Sequence, residues 1–315
     1  MRPRFLRPAE TAIAPRAEQT RVQPLLADLL AQGARAAALP AWARPARARQ
    51  MGLYHAPLKG RGMEYAESRP YQPGDDVRAL DWRLTARSGK PHTKLFREER
   101  ERPVFIAIDL RSPMAFATRG VFKQVQAARV AALLAFKAVK DGDRVGGVVL
   151  NAHGVHELPP GRGQVAVARL LRQIVSAAGA TQAVEPALAA LSTPLQRLVK
   201  PGALVFVLSD FRDLDAASEA DFGRIAAHSQ LRVVDLVDPF EQALPSLQSP
   251  LRVTAASGAL DLDLDLGDAA LRTGYQQRYA ARHAHLQDFC RRHRMPLIGI
   301  TTTDDPLQRL QQAAL

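Results

Sequence analysis

The chain's 315 residues, 47% hydrophobic and 23% charged, suffice for one large domain or two smaller ones with a sizeable core. A single cysteine, Cys290, excludes a disulfide framework and any cysteine-built metal site within one chain. The net charge of +12 is uneven, because residues 1–100 hold 19 Lys/Arg against 10 Asp/Glu and residues 101–315 hold 24 against 21.

The basic excess therefore sits in the N-terminal part. It suits a solvated tail, an acidic protein surface, anionic lipid or nucleic acid. No helix-turn-helix, zinc-finger or aromatic RNA-binding signature supports the last. No stretch approaches the roughly 20 apolar residues of a membrane span, since Asp28 and Arg35 interrupt the best candidate. With one cysteine, no span and no signal peptide, the chain is expected to be cytoplasmic.

Residues 1–50 read as a basic arm carrying one amphipathic helix over 22–39, stopped by Pro40 and Pro45. Residues 51–100 are rich in glycine and proline. Short extended pieces are expected at 63–69 and 92–96, with a turn at Pro73-Gly74-Asp75-Asp76. This segment is too short and too polar for its own core, so it is expected to dock on the domain C-terminal to it. From residue 101 the pattern becomes regular. Buried strands are expected at 104–108, 144–150, 203–208, 231–236 and 297–301, with an edge strand at 153–158. Helices are expected at 123–140, 164–175, 186–198, 216–228, 268–293 and 306–314, and a hairpin turns at Ser257-Gly258. Alternating strands and helices imply an α/β domain, a mostly parallel sheet with helices on both faces. In such sheets ligands gather at the carboxyl ends of the strands, where Asp109 and Asp210 fall.

The block Arg69-Pro70-Tyr71-Gln72-Pro73-Gly74-Asp75-Asp76-Val77-Arg78-Ala79-Leu80-Asp81-Trp82, continued by Thr85-Ala86-Arg87, Lys94, Phe96 and Glu98, is distinctive. It resembles the signature of the bacterial "domain of unknown function 58" family, over roughly residues 50–305. The resemblance implies a von Willebrand factor A-like, Rossmann-like domain at 101–315, preceded by a β-rich signature segment at 51–100. It also implies a protein-binding, chaperone-like adaptor, partner of the MoxR-type AAA+ ATPases whose genes commonly neighbour this family. Many relatives carry a membrane hairpin that this sequence lacks.

The fold also implies a metal-ion-dependent adhesion site, Asp-x-Ser-x-Ser with a later Thr and Asp, which suits Mg²⁺ and its octahedral oxygens. Asp109, Thr181 and Asp210 match the first aspartate, the threonine and the later aspartate. The two serine positions are Arg111 and Pro113, and Ser112 is one place out of step. The site is thus expected to be degenerate, with the Arg111 guanidinium replacing the metal's charge by pairing with Asp109 or Asp210. Within the signature, Asp75, Asp76, Asp81, Arg78, Arg83 and Arg87 alternate in sign and suggest a salt-bridged clasp that fixes this segment against the sheet domain. Trp82 and Tyr71 suggest a partner hot spot instead.

Other chemistry finds little support. There is no phosphate-binding Gly-x-x-x-x-Gly-Lys loop, no Gly-x-Ser-x-Gly elbow and no Cys/His pair. His153-x-x-His156-Glu157 falls in a hairpin rather than on a helix, and a third zinc ligand is lacking. The competing classes are a hydrolase or nucleotide-binding enzyme at the Asp109/Asp210 end of the sheet, and a nucleic-acid binder using the arm. No cofactor is expected.

Overall fold

The computed structural model describes residues 16–42, 63–73, 75–98, 101–182, 184–244, 252–257, 260–265 and 268–313. The expected arm at 1–15, the linker at 43–50 and the turn glycines Gly74 and Gly258 lie outside them. The chain divides into two compact units, Ala41–Glu101 and Met1–Pro40 together with Arg102–Leu315.

Helix α1 (Arg16–Val22) lies in a stretch expected to be an arm without periodicity, and α2 (Leu26–Arg35), continued by a 3₁₀ turn at Ala36–Ala38, fills most of the helix expected over 22–39. Pro24 separates them. It has no N–H to donate and its ring collides with the preceding turn, so the helix breaks there.

The smaller unit pairs β1 (Met63–Pro70) antiparallel with β2 (His92–Glu98). Between them lies α3 (Trp82–Ser88), whose N-cap Asp81 accepts from the Leu84 N–H. Gly89 ends that helix at φ 68°, a conformation only glycine adopts freely.

The larger unit continues through β3 (Pro103–Asp109), α4 (Lys123–Lys140), β4 (Arg144–Asn151), β5 (Gly154–Gly161) and α5 (Gly163–Ala177). Then come α6 (Ala189–Leu198), β6 (Leu204–Ser209), α7 (Ala216–Ala226), β7 (Gln230–Val237) and the short α8 (Pro239–Gln242). The hairpin β8 (Arg252–Ser257) and β9 (Leu260–Asp265), the long α9 (Ala269–Arg292), β10 (Leu297–Thr301) and α10 (Pro306–Gln312) complete it. Asp305 caps α10 and Pro306 opens it, as the Asp304-Asp305-Pro306 run suggests.

Six strands form one sheet in the order β10-β7-β6-β3-β4-β5. The first five are parallel, and β5 runs antiparallel at the edge. Pro159 and Pro160 lie on β5, where a missing ladder donor is tolerated. Phe105 and Ala107 of β3 join Leu191, Leu195, Phe222, Ile225 and Phe289 in a core with α6, α7 and α9. The alternate residues Val104, Ile106 and Ile108 face the other way and are fully buried, on the side where α4 packs.

The central strands β3 and β6 are neighbours, yet β3 leads to β4 on one side and β6 to β7 on the other. This is a topological switch point, and the loops leaving the carboxyl ends of β3 and β6 diverge around a crevice.

Helix α2 belongs to this unit. It packs on α4, and Leu29 is fully buried. Asp28 pairs with Arg129 of α4 at 2.8 Å, and Arg35 grips Asp305 with 2.6 and 2.7 Å bonds. Because Leu29 closes part of the core, Leu29→Ala is expected to cost about 2–5 kcal/mol. Urea unfolding of the full chain followed by circular dichroism measures it; a loss below about 1 kcal/mol would mean that α2 is a loosely held appendage.

Candidate functional site

The strands that bracket the switch point end in carboxylates. β3 ends at Asp109, and Asp210 follows Ser209, the last residue of β6. Asp109 is 1% exposed, and it accepts four hydrogen bonds. Three come from Arg111: the backbone N–H at 3.1 Å, Nε at 3.0 Å and Nη2 at 2.7 Å. The fourth comes from the Ser209 hydroxyl at 2.8 Å. Arg111 is itself buried, and its outer edge grips Asp213 through Nη1 at 2.7 Å and Nη2 at 2.9 Å. Nη1 also donates to the Pro186 carbonyl at 3.0 Å. The guanidinium thus binds three loops at once, using the planar fork that lysine lacks.

Burial pushes the Asp109 carboxyl up from the usual carboxylate range, and the Arg111 hydrogen bonds act against that rise. For Arg111 burial opposes the charge, but the bonds to Asp213 and Asp109 outweigh it and raise its pKa. Asp213 is held below the ordinary range, since the Arg111 bonds overcome its own burial.

Asp210 is served by a different cation. Lys123, the first residue of α4, is fully buried and donates to Asp210 at 2.7 Å and to Glu241 at 2.9 and 3.2 Å. Arg212 approaches Asp210 at 3.0 Å and also bonds Glu241. Burial lowers the Lys123 pKa, while Asp210 supports its charge. Lys123 was not singled out by sequence, although one clue was present. A cation at the first position of a helix opposes the helix dipole, so it needs another reason to be there. Glu241, Arg212 and Asp213 carried no comparable signal.

Two local features set the loops. Phe211 sits at φ 49° with its ring buried, a conformation costly for a non-glycine residue. It turns the chain sharply after Asp210, and Arg212 and Asp213 then bind different partners. Asp238, after β7, accepts from Thr118 N–H and hydroxyl, the Thr302 hydroxyl and the Phe240 N–H. It thereby joins the ends of β7 and β10 to the loop after β3.

The structure brings Asp109, Arg111 and Asp210 to this rim, but Arg111 pairs with Asp109 and Asp213 rather than Asp210. The Ser112 N–H and hydroxyl bond Glu185 in the loop before α6. Thr181 is exposed on that loop, with no hydrogen bond to either aspartate. The adhesion-site donor set therefore does not fit a divalent ion. Fixed guanidinium and ammonium groups take the carboxylate oxygens, Pro113 offers no hydroxyl and Thr181 is not joined. Among the described residues, no group of three or more His, Cys, Asp or Glu side chains is placed to hold a metal.

In the smaller unit, Asp75 accepts from Arg69 at 2.6 Å, the Gln72 N–H at 2.9 Å and Thr93 at 3.3 Å. The Gln72 backbone bond and Arg69 hold its carboxyl below the usual range. Asp76 caps the 3₁₀ turn at 77–79, and Asp81 bonds Ser68 at 2.8 Å as well as capping α3. These carboxylates brace the unit internally. Arg87 is exposed, Tyr71 is half-buried and Trp82 stays 69% exposed. Cys290 is buried on α9 with its thiol pushed up to about 12 by burial, so it packs as a small hydrophobe.

The family model described as protein of unknown function DUF58 matches residues 67–285. The chain belongs to that family. It is 29% identical over 256 residues, 79% of this chain and 77% of theirs, to the uncharacterized proteins Mb1516 of Mycobacterium bovis and Rv1480 of Mycobacterium tuberculosis. Among solved structures, it is similar to an aerotolerance-related membrane protein from Bacteroides fragilis, at 18% identity and TM-score 0.39, over 68% of this chain and 96% of that one. An uncharacterized membrane spanning protein from Vibrio fischeri follows at 13% identity and TM-score 0.25, over 60% and 96%. Both are named as membrane proteins, and the cytoplasmic placement expected from sequence is withdrawn on those names. Among the described residues, no helix is long and apolar enough to cross a membrane.

Removing Arg111 leaves a buried carboxylate without its cation. Arg111→Ala is expected to cost about 3–5 kcal/mol, and the double change Asp109→Asn with Arg111→Met distinctly less. Chemical denaturation of the three proteins measures both. In calorimetric titration, Mg²⁺ and Mn²⁺ are expected to give no micromolar binding; such binding, abolished by Asp109→Ala, would overturn the arginine substitution.

Proposed function

We propose that this chain is a non-enzymatic binding module of von Willebrand A-like type, serving a MoxR-type AAA+ ATPase in a chaperone-like or assembly role. The observation that carries this reading is the pairing of Asp109 with Arg111 and of Asp210 with Lys123. In an adhesion site a divalent cation holds such loops together only when it is bound. Here covalently attached cations do so, and the rim is rigid without a cofactor. General acid–base or nucleophilic work needs a group free to exchange protons or attack. These carboxylates are instead each paired with a buried cation.

The sheet order supports the von Willebrand A-like assignment, with five parallel strands, one antiparallel edge strand and the switch point between β3 and β6. The rim also offers apolar surface. Phe116, after β3, is 37% exposed, and Val184, before α6, is 83% exposed. Their two loops are tied by the Ser112–Glu185 bonds. In the smaller unit Trp82 is a further large exposed apolar side chain, of the kind that anchors interfaces. The ATPase partnership itself rests on the family resemblance.

Affinity capture with the tagged full chain, with and without ATP, tests the reading. Enrichment of an AAA+ ATPase that Val184→Asp with Phe116→Asp weakens about tenfold or more is expected. Capture of no such ATPase in either state, or phosphatase, nuclease or nucleotide turnover abolished by Asp109→Asn, would replace it with an enzymatic one.

A further inference from the structure

Helix α9 is 24 residues long, yet its buried residues, Leu286, Phe289 and Cys290, all lie in its last two turns. The part from 269 to 283 has no such anchor. Its contacts with the end of the sheet centre on Tyr279 and His283. The His283 ring stacks on Tyr279, with centroids 5.9 Å apart and planes 8° from parallel. Tyr279 lines a small cavity at the end of β7 together with Val237 and Glu241. His283 Nδ1 lies 3.5 Å from Asp235 Oδ2 on β7 itself.

Asp235 is only 3% exposed, and among the described residues His283 is the one side chain in ion-pair contact with it. The pair borders a cavity of about 20 Å³, room for a single water molecule, which Asp210, Arg212, Glu241 and Tyr279 also line. The other ring nitrogen, Nε2, lies 3.0 Å from the side-chain amide of Gln287. That amide donates to a neutral ring, and accepts from a charged one once turned over. The surroundings therefore accommodate both protonation states.

We infer that Asp235 and His283 form a proton-sensitive latch, which holds the N-terminal two-thirds of α9 against the carboxyl end of the sheet. The inference does not depend on the partner reading. The charges facing His283 are Asp235 from β7, Asp210 and Arg212 from the segment after β6, Glu241 from α8, and Arg282 and Tyr279 from α9 itself. Lys123 of α4 acts on Asp235 from behind. Asp210, Arg212, Glu241 and Lys123 are committed to one another. Tyr279 titrates far higher, since burial raises it further. That leaves His283, in contact with Asp235, as the group of this cluster that changes charge near neutrality.

The direction is set by the charges. The Asp235 bond raises the His283 pKa above 6.5, against a smaller opposing effect of burial. The latch is therefore complete below that value and weakens as pH rises through the folded-state value. Loss of the proton leaves a buried carboxylate facing a neutral ring. The least costly response is to lift α9 and admit water beside the Asp210–Lys123–Glu241 cluster.

Hydrogen exchange of the full chain between about pH 5.5 and 8.5, corrected for the intrinsic rate, tests this on peptides covering 269–283. Protection there is expected to fall about tenfold across the range, while β3 and β6 stay unchanged. His283→Gln is expected to be uniformly low and flat. Asp235→Asn is expected to be flat as well and to return the His283 titration, read by NMR, towards 6.5. A flat wild-type profile, or the wild-type slope retained in either variant, would overturn the latch; if one variant fails to fold, the other decides.

Discussion

Where β3 and β6 lie side by side, Asp109 and Asp210 emerge at the same end of the sheet, and the Asp210 charge raises the cost of ionising Asp109 and Asp235. Two buried anions in dry protein demand counter-charge. The chain supplies it from within: Arg111, two residues beyond Asp109, and Lys123, at the start of the next helix. The rest of the rim depends on these two contacts. Arg111 reaches on to Asp213 and the Pro186 carbonyl and so fixes the loops after β6 and before α6. Lys123 reaches on to Glu241 and fixes the turn after β7.

An internal cation differs from a bound metal in what it permits. A bound ion leaves, exchanges and keeps coordination positions open to a partner. A guanidinium on the backbone does none of these, and its donors are spent on Asp109, Asp213 and Pro186. The loops are then held in one arrangement under all ionic conditions. That favours a constant docking face over a metal-gated one. Conditional behaviour, where the fold has it, falls to the neighbouring Asp235–His283 contact, which joins a core strand to the least anchored part of α9.

Much of the fold is legible in order and type. The continuous apolar runs of β3, β6 and β7 stand out because strands buried on both faces need no polar alternation. The helix over 123–140 has the bounds its pattern predicts, since its apolar positions repeat at helical spacing between two turns. The helix expected over 22–39 begins only at Leu26, because its apolar periodicity runs through Pro24, which interrupts the backbone rather than the pattern, and the helix at 16–22 carries no such pattern. At the site, Asp109 and Asp210 are legible from their place after strands, and Arg111 from its intrusion into a motif that wants a hydroxyl.

By itself the sequence determined most of the elements, the parallel sheet they imply and the family through its signature block. Only the tertiary structure decided which cation meets which carboxylate. Lys123 and Asp210 are 87 residues apart, and Arg111 and Asp213 are 102 apart. No local periodicity encodes such pairs. They form because crossover connections bring the carboxyl ends of distant strands to one rim, where burial makes an unpaired charge too costly to keep.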